Sequence, residues 1–279
     1  MRLLVGLDHR QGGRDALELA RVLGSTEPSS ALVVTVLYTG PYPMEFALLP
    51  EEEAEEAEPL FEQARTKLAG IEVETRAYGG GSPAGIIDSV LHRDHFDAVV
   101  VGSPHRGAVG RVLIGSVAAS LLSGAPTAVA VAPVGYSDQA HPPPRTVAVG
   151  FDGTPESDLA LRRAEQIARH SGAALDLITV VRPPRAVPAM VPTFSPQFPP
   201  NPDEVINSGV SSVAEGISAA GSRLDGDPAS ELIRCCEDGV DLLVLGSRGY
   251  GPFSRALLGS VSRQVAEHAA CPVLVVPRP

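Results

Sequence analysis

The chain lacks the sequence features of phosphate-loop proteins, membrane-spanning proteins and secreted proteins. Lysine occurs once in 279 residues, at Lys67, so there is no Gly-Lys-[Ser/Thr] sequence and no Walker-type phosphate loop. No apolar run approaches the roughly 18 residues of a membrane-spanning helix, and the N-terminus begins with a strand pattern and not a signal peptide. The sequence therefore predicts a cytoplasmic protein that does not bind membranes.

Cysteine is scarce, and acidic residues outnumber basic residues. Cys235, Cys236 and Cys271 lack the spacing of a disulfide framework or a metal cluster, so reduced thiols are expected. The formal net charge is −11, whereas a surface that binds nucleic acid needs a basic stripe. Nucleic acid is therefore excluded as a partner.

The landmarks that the sequence does contain recur at an offset of 144 residues. Asp8 recurs as Asp152, and Gly102-Ser103 recurs as Gly246-Ser247. The triplet 115–117, Gly-Ser-Val, also recurs at 259–261. A shared period of this kind predicts two tandem copies of one fold, at residues 1–134 and 146–279, joined by a linker at 135–145.

Short apolar runs alternate with helical patterns through both copies. Runs such as 3–7, 31–37 and 98–101 are unbroken, as expected for strands that are covered on both faces. This alternation predicts a doubly wound α/β fold with a parallel sheet in each copy. Because residues 182–202 are rich in proline, a long loop and a short or missing third strand are expected in the second copy.

A glycine-rich constellation follows the fourth predicted strand of the second copy. Gly246 and Gly249 flank Ser247-Arg248, and nine residues separate Gly249 from Gly259-Ser260. Glycine lets the backbone approach an anion closely, and Ser260 is expected to cap a helix whose free amides face the same space. This arrangement predicts a phosphate site.

Asp152 is expected at the carboxyl end of the first strand, where the strand order reverses and ligands bind. A carboxylate there would accept hydrogen bonds from ribose hydroxyls or an adenine amine, and Val180 would offer its backbone to the base. The alternatives are that Asp8 and Asp152 only cap the following helices, and that the glycines are plain turn residues.

The spacing Gly246-x-x-Gly249, nine residues, Gly259-Ser260 resembles the motif of the ATP-binding branch of the universal stress protein family, and the likeness covers almost the whole chain. The resemblance implies two Rossmann-like five-stranded sheets of order 3-2-1-4-5. It also implies a pseudo-dimer in which residues 128–131 and 273–276 pair as antiparallel strands. ATP, alone or with Mg²⁺, would be held in the second copy by Asp152, Val180, Gly246, Arg248, Gly249, Gly259, Ser260 and Val261.

The first copy departs from this motif. His105 stands where glycine is expected, and Pro104 before it lacks an amide donor. We therefore expect weaker nucleotide binding here, through the corresponding positions Asp8, Val36, Gly102, His105, Gly115, Ser116 and Val117.

The resemblance implies an ATP-binding stress-response regulator that holds its nucleotide mainly in the second domain. Other proteins are expected as partners, and the sequence leaves open whether two tandem chains associate as a homodimer. No catalytic residue is assigned, so any hydrolysis should be slow. The alternatives are an enzyme of the adenine-nucleotide α-hydrolase type and a nucleotide-free dimeric scaffold.

Overall fold

A computed structural model describes residues 1–37, 47–103, 115–183, 201–247 and 259–278. The first half contains β1 (Arg2–Gly6), α1 (Gln11–Gly24), β2 (Ser30–Leu37), β3 (Ala47–Leu48), α2 (Glu51–Ala54), α3 (Glu58–Lys67), β4 (Glu72–Gly79), α4 (Pro83–Arg93), β5 (Ala98–Gly102), α5 (Ser116–Gly124) and β6 (Ala128–Ala132). The second half contains β7 (Thr146–Gly150), α6 (Pro155–Ser171), β8 (Ala174–Val181), α7 (Pro202–Ser212), β9 (Ala219–Asp225), α8 (Pro228–Glu237), β10 (Leu242–Gly246), α9 (Ser260–His268) and β11 (Val273–Val276).

The strands of the described residues form one sheet in the order β3-β4-β2-β1-β5-β6-β11-β10-β7-β8-β9. Within each half, five parallel strands follow the order 3-2-1-4-5, so the predicted doubly wound α/β fold is confirmed. Helices cover both faces, which is why the central strands consist almost entirely of buried aliphatic residues.

The two halves meet at the only antiparallel pair between long strands in the described residues, β6 with β11. Val131 pairs with Val273, and Val129 pairs with Val275. The predicted pairing of the final strands is therefore confirmed. Because the two strands run in opposite directions, the carboxyl edges of the two half-sheets lie on opposite sides of the molecule.

Three helices begin with the signals expected from their sequences. The side chains of Ser82, Thr154 and Asp227 cap α4, α6 and α8, each accepting a hydrogen bond from a backbone N–H three residues later at 3.2–3.3 Å. Proline occupies the first helical position in all three, where its missing N–H costs nothing. These caps fix the helix starts that surround the carboxyl edge of each half-sheet.

Two features of the sheet differ from the expectation. The third strand of the second half, β9, was predicted to be short or missing, but it pairs with β8 over seven residues. In the first half, the two-residue strand β3 pairs antiparallel with the end of β4 and extends the sheet by one strand. Residues 184–200, most of the predicted long loop, lie outside the described residues.

Residues 135–141 are held against the first half by two fully buried carboxylates of α1. Asp15 accepts hydrogen bonds from the backbone N–H groups of Gly135 (2.9 Å) and Ser137 (2.8 Å). Glu18 accepts one from the N–H of His141 at 2.9 Å. The segment between the halves is thus held against α1.

Cys236 and Cys271 are buried, Cys235 is half-buried, and all three thiols are free, as expected for reduced cysteines. Burial raises the pKa of the Cys271 thiol well above its usual value, which keeps it protonated and unreactive. Among the helices in the described ranges, none combines the length and the apolar character needed to cross a bilayer.

Candidate functional site

Each half has a crevice at the carboxyl edge of its sheet, between the first and fourth strands. In the first half the crevice lies beyond β1 and β5, and in the second half beyond β7 and β10. The strand order reverses at both places, which is where open parallel sheets bind ligands. The two crevices open on opposite sides of the molecule because the half-sheets run in opposite directions.

The first crevice encloses about 660 Å³. It brings together all the described candidate residues of the first copy, namely Asp8, Val36, Gly102, Gly115, Ser116 and Val117. His105 lies outside the described residues. The residues predicted from separate stretches of sequence therefore line one cavity.

The second crevice is smaller, at about 280 Å³. It is lined by the described candidates of the second copy, namely Asp152, Val180, Gly246, Gly259, Ser260 and Val261. Arg248 and Gly249 lie outside the described residues. Both crevices thus combine a strand-end aspartate with the first turn of the helix that follows the fourth strand.

The two aspartates shape the turn before the next helix without capping it. Asp8 Oδ1 accepts a hydrogen bond from the backbone N–H of Arg10 at 3.0 Å. Asp152 Oδ1 accepts one from the backbone N–H of Thr154 at 3.2 Å and one from its hydroxyl at 2.5 Å. Arg10 and Thr154 themselves occupy the cap positions of α1 and α6, so the alternative in which the aspartates are the helix caps is wrong.

The strand-end glycines have a packing role that is independent of any ligand. A β-carbon on Gly102 would lie 1.9 Å from the carbonyl oxygen of Gly12, and one on Gly246 would lie 2.5 Å from that of Glu156. Both distances are shorter than any real contact, so the close approach of α1 and α6 to the sheet requires glycine. These two glycines alone do not indicate a phosphate site.

The helix starts that face the crevices carry no side-chain cap. The cap residues of α5 and α9 are Gly115 and Gly259, neither of which has a side chain to bond the first-turn amides. The prediction that Ser260 caps α9 is therefore wrong, because Ser260 is the first helical residue. Uncapped amides together with the positive end of the helix dipole favour an anion.

Sequence reasoning missed several crevice residues. Arg10 and Gly12 line the first crevice, and Glu156 and Arg182 line the second. Three of them could have been found from their position in the sequence, because Arg10, Gly12 and Glu156 lie within four residues of the strand-end aspartates. Arg182 also forms an exposed ion pair with Asp227 at 3.5 Å.

No group of three or more histidine, cysteine, aspartate or glutamate side chains with the geometry of a metal site occurs in the part of the chain that the structure describes.

Both halves of the chain match the same protein-family model. The model described as the Universal stress protein family matches residues 1–133 and, a second time, residues 144–277. A universal stress protein of Mycolicibacterium smegmatis is 32% identical over 263 residues, which cover 88% of this chain and 84% of that relative. Both repeats are therefore similar to the same family.

The fold of the chain is also similar to that of solved structures. The crystal structure of a universal stress protein from Archaeoglobus fulgidus superposes with a TM-score of 0.68 at 23% identity, covering 99% of this chain and 96% of its own. A universal stress protein crystallised in complex with cAMP is 29% identical, has a TM-score of 0.37, and covers 48% of this chain and 96% of its own. The first of these shows that the whole tandem fold has a solved counterpart.

Proposed function

We propose that this chain, which belongs to the universal stress protein family as a tandem of two family domains, binds ATP and acts as a nucleotide-dependent regulator of the stress response. One observation carries the proposal. In each half, an aspartate at the end of the first strand and an uncapped helix start after the fourth strand line the same cavity.

The two sides of each crevice suit the two ends of a nucleotide. The helix start offers backbone N–H groups to phosphate oxygens, while the aspartate accepts hydrogen bonds from ribose or adenine. In the second domain we assign the phosphates to Gly246, Arg248, Gly249, Gly259, Ser260 and Val261, and the nucleoside to Asp152 and Val180. This domain holds most of the nucleotide in the proposal, because its glycine motif is complete.

The first domain serves as the weaker site. His105 interrupts its glycine motif, but its described candidate residues line one cavity of about 660 Å³. Asp8, Val36, Gly102, Gly115, Ser116 and Val117 would hold the nucleotide there. The proposal assigns Mg²⁺ no dedicated protein site, so the cation would arrive bound to ATP.

Occupancy of the crevices would change the surface that the protein presents to other proteins, which is the regulatory step of the proposal. A homodimer of the tandem chain and a cytoplasmic location are parts of the same proposal. Because no catalytic base is assigned at either crevice, hydrolysis is expected to be slow.

The test is to heat the purified full-length protein and to identify the released small molecules by mass spectrometry, followed by a turnover assay with ATP and Mg²⁺. Release of ATP or ADP, with turnover far below one per second, supports the proposal. Absence of nucleotide, together with no binding of added ATP, would favour the nucleotide-free scaffold. Several turnovers per second would favour the adenine-nucleotide α-hydrolase alternative.

A further inference from the structure

The first turn of α1 contacts two parts of the molecule. Arg10, Gly12 and Gly13 line the first crevice. Gln11 lies among them in the sequence, and its side chain instead binds the segment 135–138, which follows β6. One helical turn therefore connects the first crevice with this segment.

The segment is held on α1 by Asp15, which is fully buried and accepts four hydrogen bonds from neutral groups. Three come from the segment, namely from the backbone N–H of Gly135 (2.9 Å), the backbone N–H of Ser137 (2.8 Å) and the hydroxyl of Ser137 (2.8 Å). The fourth comes from the side-chain amide of Gln11 at 3.0 Å. A buried carboxylate is costly without its hydrogen bonds, so α1 and the segment stay together at this point.

Gln11 extends this contact to the first turn of the helix. Its side-chain nitrogen lies 2.9 Å from Ser137 Oγ and 3.1 Å from Asp138 Oδ1, in addition to its contact with Asp15. Its side-chain oxygen accepts a hydrogen bond from the guanidinium of Arg14. Both ends of the Gln11 amide are thus engaged, which restrains the backbone between two crevice residues.

The first turn of α1 has little support of its own. No side chain of the described residues caps it, and two of its first three residues are glycines, which lose more conformational freedom in a helix than other residues do. The start of α6, in contrast, is capped by the hydroxyl of Thr154, which accepts a hydrogen bond from the N–H of Ser157 at 3.3 Å. The contact with the segment 135–138 therefore does for α1 what the cap does for α6.

The sequence of the second copy lacks the two side chains that make this contact. At the offset of 144 residues, Gln11 corresponds to Pro155 and Asp15 corresponds to Leu159. Neither proline nor leucine has a polar group in its side chain. An effect of this contact on ligand binding should therefore be confined to the first crevice.

We propose that Gln11 and Asp15 are positioning residues of the first crevice, which use the segment 135–138 to hold the first turn of α1 where a nucleotide contacts it. An ordered site binds more tightly, because less conformational freedom is lost on binding. Since coupling between two sites is reciprocal, a nucleotide in the first crevice must also hold the segment more firmly, by the same factor. The inference rests on the proposed function.

The two crevices can be followed separately by NMR of valine methyl groups, because Val36 lines the first crevice and Val180 lines the second. The full chain, with its valine methyl groups labelled with ¹³C, is titrated with ATP and Mg²⁺. Gln11→Ala should raise the dissociation constant read at Val36 by about tenfold and leave that read at Val180 unchanged.

A second variant changes the other partner of the contact. Ser137→Ala lies outside both crevices and should also weaken binding at Val36 alone. The double variant with Gln11→Ala should bind no more weakly than the weaker of the two single variants by more than about twofold, because both changes break one contact.

The matched control is Gln166→Ala. Gln166 is an exposed residue of α6 whose side chain accepts a hydrogen bond from Arg163 at 2.9 Å. This variant loses the same side chain from a helix and should bind ATP at both crevices as the native protein does. Thermal melting verifies that each variant is folded at the temperature of the titration.

Hydrogen exchange tests the reciprocal effect in the unaltered protein. Saturation with ATP and Mg²⁺ should slow the exchange of the backbone amides of Gly135 and Ser137 by about tenfold. In Gln11→Ala, this effect of ATP should fall below about threefold. If Gln11 served folding alone, its loss would lower the melting temperature and leave both the affinity at Val36 and the effect of ATP on exchange unchanged.

The outcomes separate this inference from the proposed function. If ATP shifts neither Val36 nor Val180, the proposed function is wrong and the inference falls with it. If ATP shifts both valines but Gln11→Ala and Ser137→Ala bind as the native protein does, the function stands and the inference is overturned. The inference is also overturned if the variants weaken binding equally at the two valines, or if ATP leaves the exchange of Gly135 and Ser137 unchanged.

Discussion

Leu274 of β11 lies opposite Ala130 of β6, at the centre of the antiparallel pair that joins the two halves. Leu274 is 1% exposed and Ala130 is fully buried, and both belong to an apolar cluster that contains residues of both halves. The seam between the repeats is therefore part of a continuous core, and a cavity made there should weaken the whole molecule.

Replacing Leu274 with alanine should lower the free energy of unfolding by about 3 kcal/mol, because the change removes buried methyl groups and leaves a cavity. Urea denaturation followed by circular dichroism measures the effect. The control is Leu48→Ala, since Leu48 is 58% exposed and its truncation should have little effect. Equal loss of stability in the two variants would contradict a shared core at the seam.

Gly102→Ala should destabilise the first half by about 1–3 kcal/mol, because its β-carbon would fall 1.9 Å from the carbonyl oxygen of Gly12. The matched control is Gly124→Ala at the end of α5, where a β-carbon meets no atom within 4 Å. That change should be neutral or slightly stabilising, since alanine is the better helix former. Thermal melting of both variants distinguishes packing at the strand end from a general effect of losing glycine.

Asp152→Ala should weaken ATP binding at the second crevice by about tenfold, because one hydrogen bond that the nucleotide donates to a charged acceptor is lost. Asp8→Ala should have a similar effect at the first crevice only. Isothermal titration calorimetry with ATP and Mg²⁺ gives the affinities. Asp238→Ala, at the exposed C-terminal end of α8, serves as the control and should bind ATP normally. Unchanged affinity in Asp152→Ala would remove this residue from the site.

The buried Glu18 predicts a dependence of stability on pH. Burial alone would raise the pKa of Glu18, but hydrogen bonds from Arg21, Lys67 and the backbone of His141 outweigh it and lower the pKa from 4.5 to about 2. A carboxyl group whose pKa is lowered by folding stabilises the protein fully above its unfolded pKa. This contribution is therefore present above about pH 4.5 and is lost as the pH falls towards 2.

Glu18→Gln should consequently be less stable than the native protein at pH 7, by about 2 kcal/mol, and the difference should shrink between pH 4.5 and pH 2. Guanidinium denaturation across this range measures it. Glu62→Gln provides the comparison, because Glu62 pairs with Arg65 on the surface, where its side chain is 67% exposed. A difference between Glu18→Gln and the native protein that stays constant with pH would contradict the account.

Much of the fold could be predicted because its central strands carry a strong signal. Strands such as β5 and β10 are short, unbroken apolar runs that end in glycine, and the repeat at 144 residues marks each of them twice. The length of β9 was not predicted because β9 is an edge strand whose residues are exposed or half-buried. Its sequence therefore contains no apolar run that indicates a strand. Its register with β8 depends on the rest of the sheet.

The sequence predicted most of the residues that line the candidate site, but it did not predict the structural role of each residue. Asp152, Gly246 and Gly259 line one cavity as expected, because the topology brings the ends of β7 and β10 together. Ser260 was assigned one position too early in the helix, since glycine and serine both cap helices and only the backbone angles decide. Glu156 was missed because a glutamate in a first helical turn usually faces solvent and favours the helix dipole.

The most direct test of the central claim is a crystal structure of the full chain grown with ATP and Mg²⁺. The account predicts phosphate oxygens within hydrogen-bond distance of the backbone N–H groups of Ser260 and Val261, and the ribose or adenine against Asp152. ATP bound elsewhere, or a second crevice that stays empty at millimolar ATP, would contradict it.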